Sequence, residues 1–178
     1  MWQALESFAA ARAAERIGPD ALARLQVLSD EMKRVGEDAS ASGLDALDPA
    51  RLHRFLAADY AFHMQILESA GNRQIMQAVQ GGRTISRIFR MRRQRHDRGI
   101  VEGARRHHER ILQALRKRDA EAARVRMAEH IADSLKETLA DFDRPDAVAP
   151  AAAADDLPRE VAAALDRLGR GAAAELKA

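Results

Sequence analysis

Residues 48–72 read DPARLHRFLAADYAFHMQILESAGN, and this stretch decides the fold class. Asp48-Pro49 is a helix start: the aspartate can cap free N–H groups and proline's fixed φ suits the first turn. Gly71-Asn72 is a helix stop, because glycine enters the left-handed conformation that closes a helix without strain. Between them Leu52, Phe55, Leu56, Phe62, Ile66 and Leu67 recur at three- and four-residue spacing and form one apolar stripe. Asp59 and His63 fall inside that stripe, one turn apart on the same face.

The same punctuation divides the flanking sequence. A first helix is predicted over about Trp2–Ile17, stopped by Gly18-Pro19. A second begins after Pro19, with Leu22, Leu25, Leu28 and Met32 at helical spacing, and fades by Gly36 into a loop at 37–47. Further helices are predicted over about Asn72–Arg95 and Gly99–Arg118, and Asp119 caps a sixth that reaches about Phe142. No sustained alternation and no hairpin dipeptide marks a strand. From Pro145 to Pro158 the composition changes to Ala, Pro and Asp, a linker, with a short helix expected at Arg159–Leu168. The expectation is an all-α bundle of about six helices at residues 1–144, followed by a flexible tail at 145–178.

Composition narrows the chemistry. The chain has 178 residues, with 29 Lys+Arg against 27 Asp+Glu, so it is not basic overall. It contains no cysteine, which removes disulfides, thiol catalysis and thiolate metal sites. Any metal must be held by His, Asp or Glu. Glu6 and Arg12 interrupt the apolar N-terminal stretch, so it is not a signal peptide. The longest uncharged run, Ala147–Ala154, is too short to span a bilayer. A cytoplasmic protein with no membrane partner is expected.

The histidines carry the rest of the information. On the fifth helix His108 lies in the stripe of Ala104, Ile111, Leu112 and Leu115. On the sixth, His130 lies in the stripe of Ala123, Met127, Ile131, Leu135 and Leu139. With Asp59 and His63, three helices aim four titratable groups at one core. Burying such groups alone is costly, so they must satisfy one another or share a partner. Hydrogen bonds among core residues would do this, and so would a divalent metal. Three imidazoles and a carboxylate suit Zn, Ni, Mn, Fe or Co. His53 and His107 fall beside their stripes and read as surface or boundary residues.

These residues also carry a family resemblance. Asp59-Tyr-Ala-Phe62-His63 followed by Ala70-Gly71-Asn72 resembles the D-x-x-F-H … [SA]-G-N signature of one sensor domain. His108-Glu-Arg-Ile111-Leu, Ala114, Asp119, Ala123, Met127 and His130 are similar to its second block. Ala4-Leu5-Glu6, Ala9-Ala10 and Ala13-Ala14 are similar to its first helix. The domain is the C-terminal sensor, called FCD, of FadR-branch GntR-type bacterial transcription regulators, and the likeness covers about residues 2–142. It implies an antiparallel helical bundle, a homodimer, and a central cavity for a small organic-acid or sugar-acid effector. It also implies a divalent metal held by Asp59, His63, His108 and His130, the four residues that helical geometry turns inward. Such a protein senses and is not an enzyme. DNA binding would come through a winged-helix domain, and nothing in these 178 residues reads as one. At position 107 a histidine stands where the family often has an acid, and the residues beyond Pro145 are outside the family pattern.

Between Gly82 and Gly99 lie seven arginines and one acid. Clustered arginines can neutralise nucleic-acid phosphates, but this segment reads first as a solvated helix face or, on the resemblance, as a source of effector ligands. Arg83, Arg87 and Arg90 continue the stripe of Met76 and Val79 and are the candidates for pairing with a carboxylate. Two rival functions remain. His96-Asp97 matches the dipeptide of metal-dependent phosphohydrolases, which suggests a hydrolase on a helical bundle. A metal-free sensor or interaction module is the other.

Overall fold

A computed structural model of the chain describes residues 1–43, 45–79 and 97–142. Those residues form an all-α bundle. Helix α1 spans Trp2–Arg16, α2 Pro19–Ala41 and α3 Pro49–Ala70. The described part of α4 covers 73–79, and α5 (Arg98–Arg116) and α6 (Ala120–Phe142) follow. Among the described residues the one β-type pairing is an isolated bridge between Ala46 and Asp97.

Local signals set most of these boundaries. Asp48 Oδ1 accepts the Arg51 N–H at 2.9 Å, and Pro49 occupies the first turn of α3. Gly71 closes α3 with φ of 68°, in the left-handed region. Asp97 accepts from the Ile100 N–H and Asp119 from the Ala122 N–H, each at 2.9 Å, and these start α5 and α6. The end of α2 differs from expectation. The helix runs through Gly36 to Ala41, because Val35 and Ala39 are buried there and packing outweighs the helix cost of one glycine. It stops at Ser42, whose hydroxyl bonds the Asp38 carbonyl at 2.7 Å, and at Gly43 with φ of 67°.

Helix α3 forms the centre. It packs against α1 and α2, and residues on nearly all its sides are buried, from Leu52 to Ala70. His53, expected at the boundary, is therefore buried too. One main core joins Ile17, Leu25, Met32, Phe55, Phe62, Ile111, Leu115 and Met127. A smaller cluster of Ala9, Met64, Leu67, Ala70 and Val79 brings in the start of α4.

Helix α1 runs antiparallel to α6. Gln3 Nε2 donates to the Ala128 carbonyl at 3.0 Å, and Arg118 donates to the carbonyls of Glu15 and Ile17. The inner face of α1 is mostly small, with Ala9, Ala10, Ala13 and Ala14 fully buried, so the two helices approach closely. This pairing corrects one expectation. Leu135 and Leu139 continue the α6 stripe in sequence, yet they are 57% and 56% exposed. They lie beyond the level at which α1 begins, so that neighbour does not cover them.

The Asp48 cap yields a direct test. The Arg51 backbone N–H, and then its guanidinium, hold the Asp48 carboxyl below its ordinary value of 3.8. A depressed carboxyl contributes stability that is fully present above its unfolded pKa and is lost as pH falls through the folded value. Asp48→Ala should cost about 1 kcal/mol at pH 7. Urea titration should show that cost shrinking toward pH 3, whereas Asp48→Asn should retain most of the cap at both pH values.

Candidate metal centre

Helix α3 supplies Asp59 and His63 from successive turns, α5 supplies His108 and α6 supplies His130. All four are buried, His108 completely. One donor atom from each lies within 4.8 Å of all the others. His63 Nε2 is 3.1 Å from His130 Nε2 and 3.4 Å from His108 Nε2. Asp59 Oδ1 is 3.2 Å from His108 Nε2 and 3.7 Å from His63 Nε2.

The outer nitrogens decide what the inner ones offer. His108 Nδ1 is 2.8 Å from the Ala104 carbonyl, which can only accept, so Nδ1 carries the proton. His63 Nδ1 is 2.7 Å from Glu6 Oε2, and an ionised Glu6 places the proton in the same way. In the neutral rings both Nε2 lone pairs then point into the cluster. Two acceptors facing each other at 3.4 Å form no hydrogen bond. A cation or an added proton between them resolves the conflict.

The donor set fits a single divalent ion. Ligand atoms about 2.0–2.2 Å from a metal stand about 3–4 Å from one another. Four of the six donor pairs, at 3.1, 3.2, 3.4 and 3.7 Å, fall within that span, and all six lie within 4.8 Å. The surroundings are apolar and orienting. Phe62 presents its ring to His108 edge-on, at 4.7 Å between centroids and 80° between planes.

Glu6 is a site residue that the sequence reading passed over, although the signal was present. It lies on the face that carries the fully buried Ala9, Ala10 and Ala13, and it is itself buried. The test that singled out Asp59 and the three histidines would have found it. His107 contacts Asp133 at 3.0 Å and lies 5.4 Å from the His130 ring. At His63 the carboxylate that touches the outer nitrogen comes from α1.

Arg83, Arg87, Arg90 and His96 lie outside the described residues. Asp97 is occupied in capping α5 and in the bridge to Ala46. A groove of about 850 Å³ opens between α2 and α5, lined by Lys33, Glu37, Arg98, Glu102, Arg105 and Glu109 among others, and none of the four cluster residues reaches it. Its charges pair internally. Glu102 bonds Arg105 at 2.7 and 2.8 Å, which holds the Glu102 carboxyl below its ordinary range, and Arg105 also meets Glu109 at 3.0 Å.

The model of the FCD domain family matches residues 1–133. The chain belongs to the FCD domain family. Among solved structures this FCD domain is similar to E. coli McbR/YncC, with a TM-score of 0.61 and 16% identity. The match covers 80% of this chain and 62% of that one, so this chain spans less than two thirds of the length of that protein. At that identity the likeness is one of fold. No curated protein matches the sequence. The FCD match contains all four cluster residues and Glu6. No described helix is long and apolar enough to cross a membrane.

Phe62 both fills the main core and backs His108. Phe62→Ala should lower the free energy of unfolding by about 3–5 kcal/mol, read by chemical denaturation. Phe62→Leu should recover most of that loss.

Proposed function

We propose that this FCD domain is the ligand-sensing part of a GntR/FadR-type transcription regulator, with residues 1–144 as the sensing unit. The observation that carries the reading is the convergence of Asp59, His63, His108 and His130 within 4.8 Å at the buried centre of the domain. These residues would hold a divalent ion, which would supply coordination positions open to the carboxylate of a small organic-acid or sugar-acid effector. Arg83, Arg87 and Arg90 are proposed as further effector contacts. Their guanidinium groups match a carboxylate in charge and shape. The role is to bind and to signal, and no catalytic step is assigned.

Signalling would proceed by a shift of population. An effector that binds one packing of the helices more tightly moves the equilibrium toward that packing. In the regulators this reading invokes, the change passes to a winged-helix DNA-binding domain in a homodimer. Cytoplasmic location belongs to the same proposal.

A second reading is supported by the 3.1 Å separation of His63 Nε2 and His130 Nε2, which is also a hydrogen-bond distance. In that reading the cluster is metal-free and held by shared protons. Elemental analysis separates the two. The metal-binding reading expects about one divalent ion per chain, a melting temperature that falls in EDTA, and a His63→Ala variant whose melting temperature ignores EDTA. A metal-free preparation that is unchanged by added Zn²⁺, Ni²⁺ or Mn²⁺ supports the second. A thermal-shift screen of small carboxylates with and without metal tests the effector class, and stabilisation only with metal present is the expected result.

A further inference from the structure

Helix α1 contributes no donor to the cluster, yet it places a carboxylate against it. Glu6 is 3% exposed, and the other buried residues of α1 are Ser7 and four alanines. A carboxylate there is destabilising by several kcal/mol unless a hydrogen-bonding partner compensates it. His63 Nδ1, at 2.7 Å, is such a partner, and the distance is that of a charge-assisted hydrogen bond. The two nitrogens of one ring thus join different elements. Nδ1 faces α1, and Nε2 faces Asp59, His108 and His130.

The two contacts are coupled through the ring. A cation at Nε2 withdraws electron density from the imidazole and makes Nδ1–H a stronger donor, while a carboxylate at Nδ1 makes Nε2 a better ligand. Linkage makes the effect reciprocal: whatever strengthens one contact strengthens the other by the same factor. The buried neighbours of Glu6 on α1 are small, Ser7, Ala9 and Ala10, and Leu5 packs against the smaller cluster of Met64, Leu67 and Val79. At the opposite end Arg118 holds the last α1 carbonyls and Arg16 bonds the Ala70 carbonyl at 3.2 Å.

We infer that Glu6 is a positioning residue which orients His63 for the ion and transmits the loading of the cluster to the N-terminal half of α1. The inference rests on the metal-binding reading above. In that reading α1 is the helix that would join the sensor to an upstream DNA-binding domain, so the contact lies on the route of the signal.

The test uses the full chain, Zn²⁺ as the probe and two measurements. Zn²⁺ affinity is read by competition with a chromophoric chelator, and backbone protection of α1 by amide hydrogen exchange with and without Zn²⁺. In the wild type, Zn²⁺ should bind at one site and slow exchange in the N-terminal half of α1. Glu6→Gln, which keeps shape and removes charge, should bind Zn²⁺ about tenfold or more weakly. At saturating Zn²⁺ it should lose most of the added α1 protection. Gln3→Ala serves as the control, because it removes the α1 tether to Ala128 without touching His63. It should lower α1 protection in both states and leave Zn²⁺ affinity unchanged. Glu6→Asp guards against a variant that does not fold. It keeps the charge on a shorter arm and should fall between wild type and Glu6→Gln. Wild-type Zn²⁺ affinity in Glu6→Gln, or unchanged α1 protection on loading, overturns the assignment while the metal-binding reading stands. A wild-type chain that binds no divalent ion overturns that reading and this inference together.

Discussion

Removing several ionisable side chains from water at one point is the constraint around which this domain is arranged. Asp59, His63, His108 and His130 are each buried, and any one alone would be destabilising. Together they can be satisfied, because helices α3, α5 and α6 bring their polar ends within a few ångströms of one another. The constraint reaches outward. His108 needs the Ala104 carbonyl behind it, His63 needs Glu6, and Phe62 packs edge-on against His108 and keeps water from the rings. The three helices that carry the donors all begin with an aspartate that caps its own helix. A local cap thus helps to fix each starting point, and at α5 the bridge from Asp97 to Ala46 adds a distant contact.

The outer hydrogen bonds matter as much as the inner atoms. A neutral imidazole has one proton and one lone pair, and the protein chooses which nitrogen receives each. For His108 a backbone carbonyl makes the choice, and for His63 a carboxylate from a different helix does so. Both choices direct lone pairs inward. Such a cluster is predisposed toward cations, because acceptors aimed at a common point repel one another until something positive lies between them. The polar groove between α2 and α5 shows the contrasting case, in which Arg105 and Arg106 offset the charges of Glu102 and Glu109 at the surface.

Much of this was legible in the sequence because the relevant signals are local or periodic. Capping aspartates, Gly71 and the apolar spacing of α3 are short-range features, and they led to the correct helices. The inward turn of Asp59, His63, His108 and His130 followed from phase alone, since a helix fixes the direction of each residue relative to its stripe. What was missed depended on neighbours. His53 is buried because α3 is enclosed on several sides, a fact about the other helices. Leu135 and Leu139 are exposed because α1 does not reach their level, although they continue the α6 stripe. Gly36 did not end α2, since burial of the residues around it outweighed a weak local preference. Glu6 obeys the same phase rule as the cluster residues, but alanines are faint markers of a core face.

The cluster also gathers distant parts of the chain. His63 is 45 residues from His108, 67 from His130 and 57 from Glu6. Bringing contacts together across such separations closes long loops, which costs chain entropy. An occupant of the cluster would act as a cross-link among α3, α5 and α6. It would hold three helices with one set of bonds, so that its loss would loosen them together rather than singly.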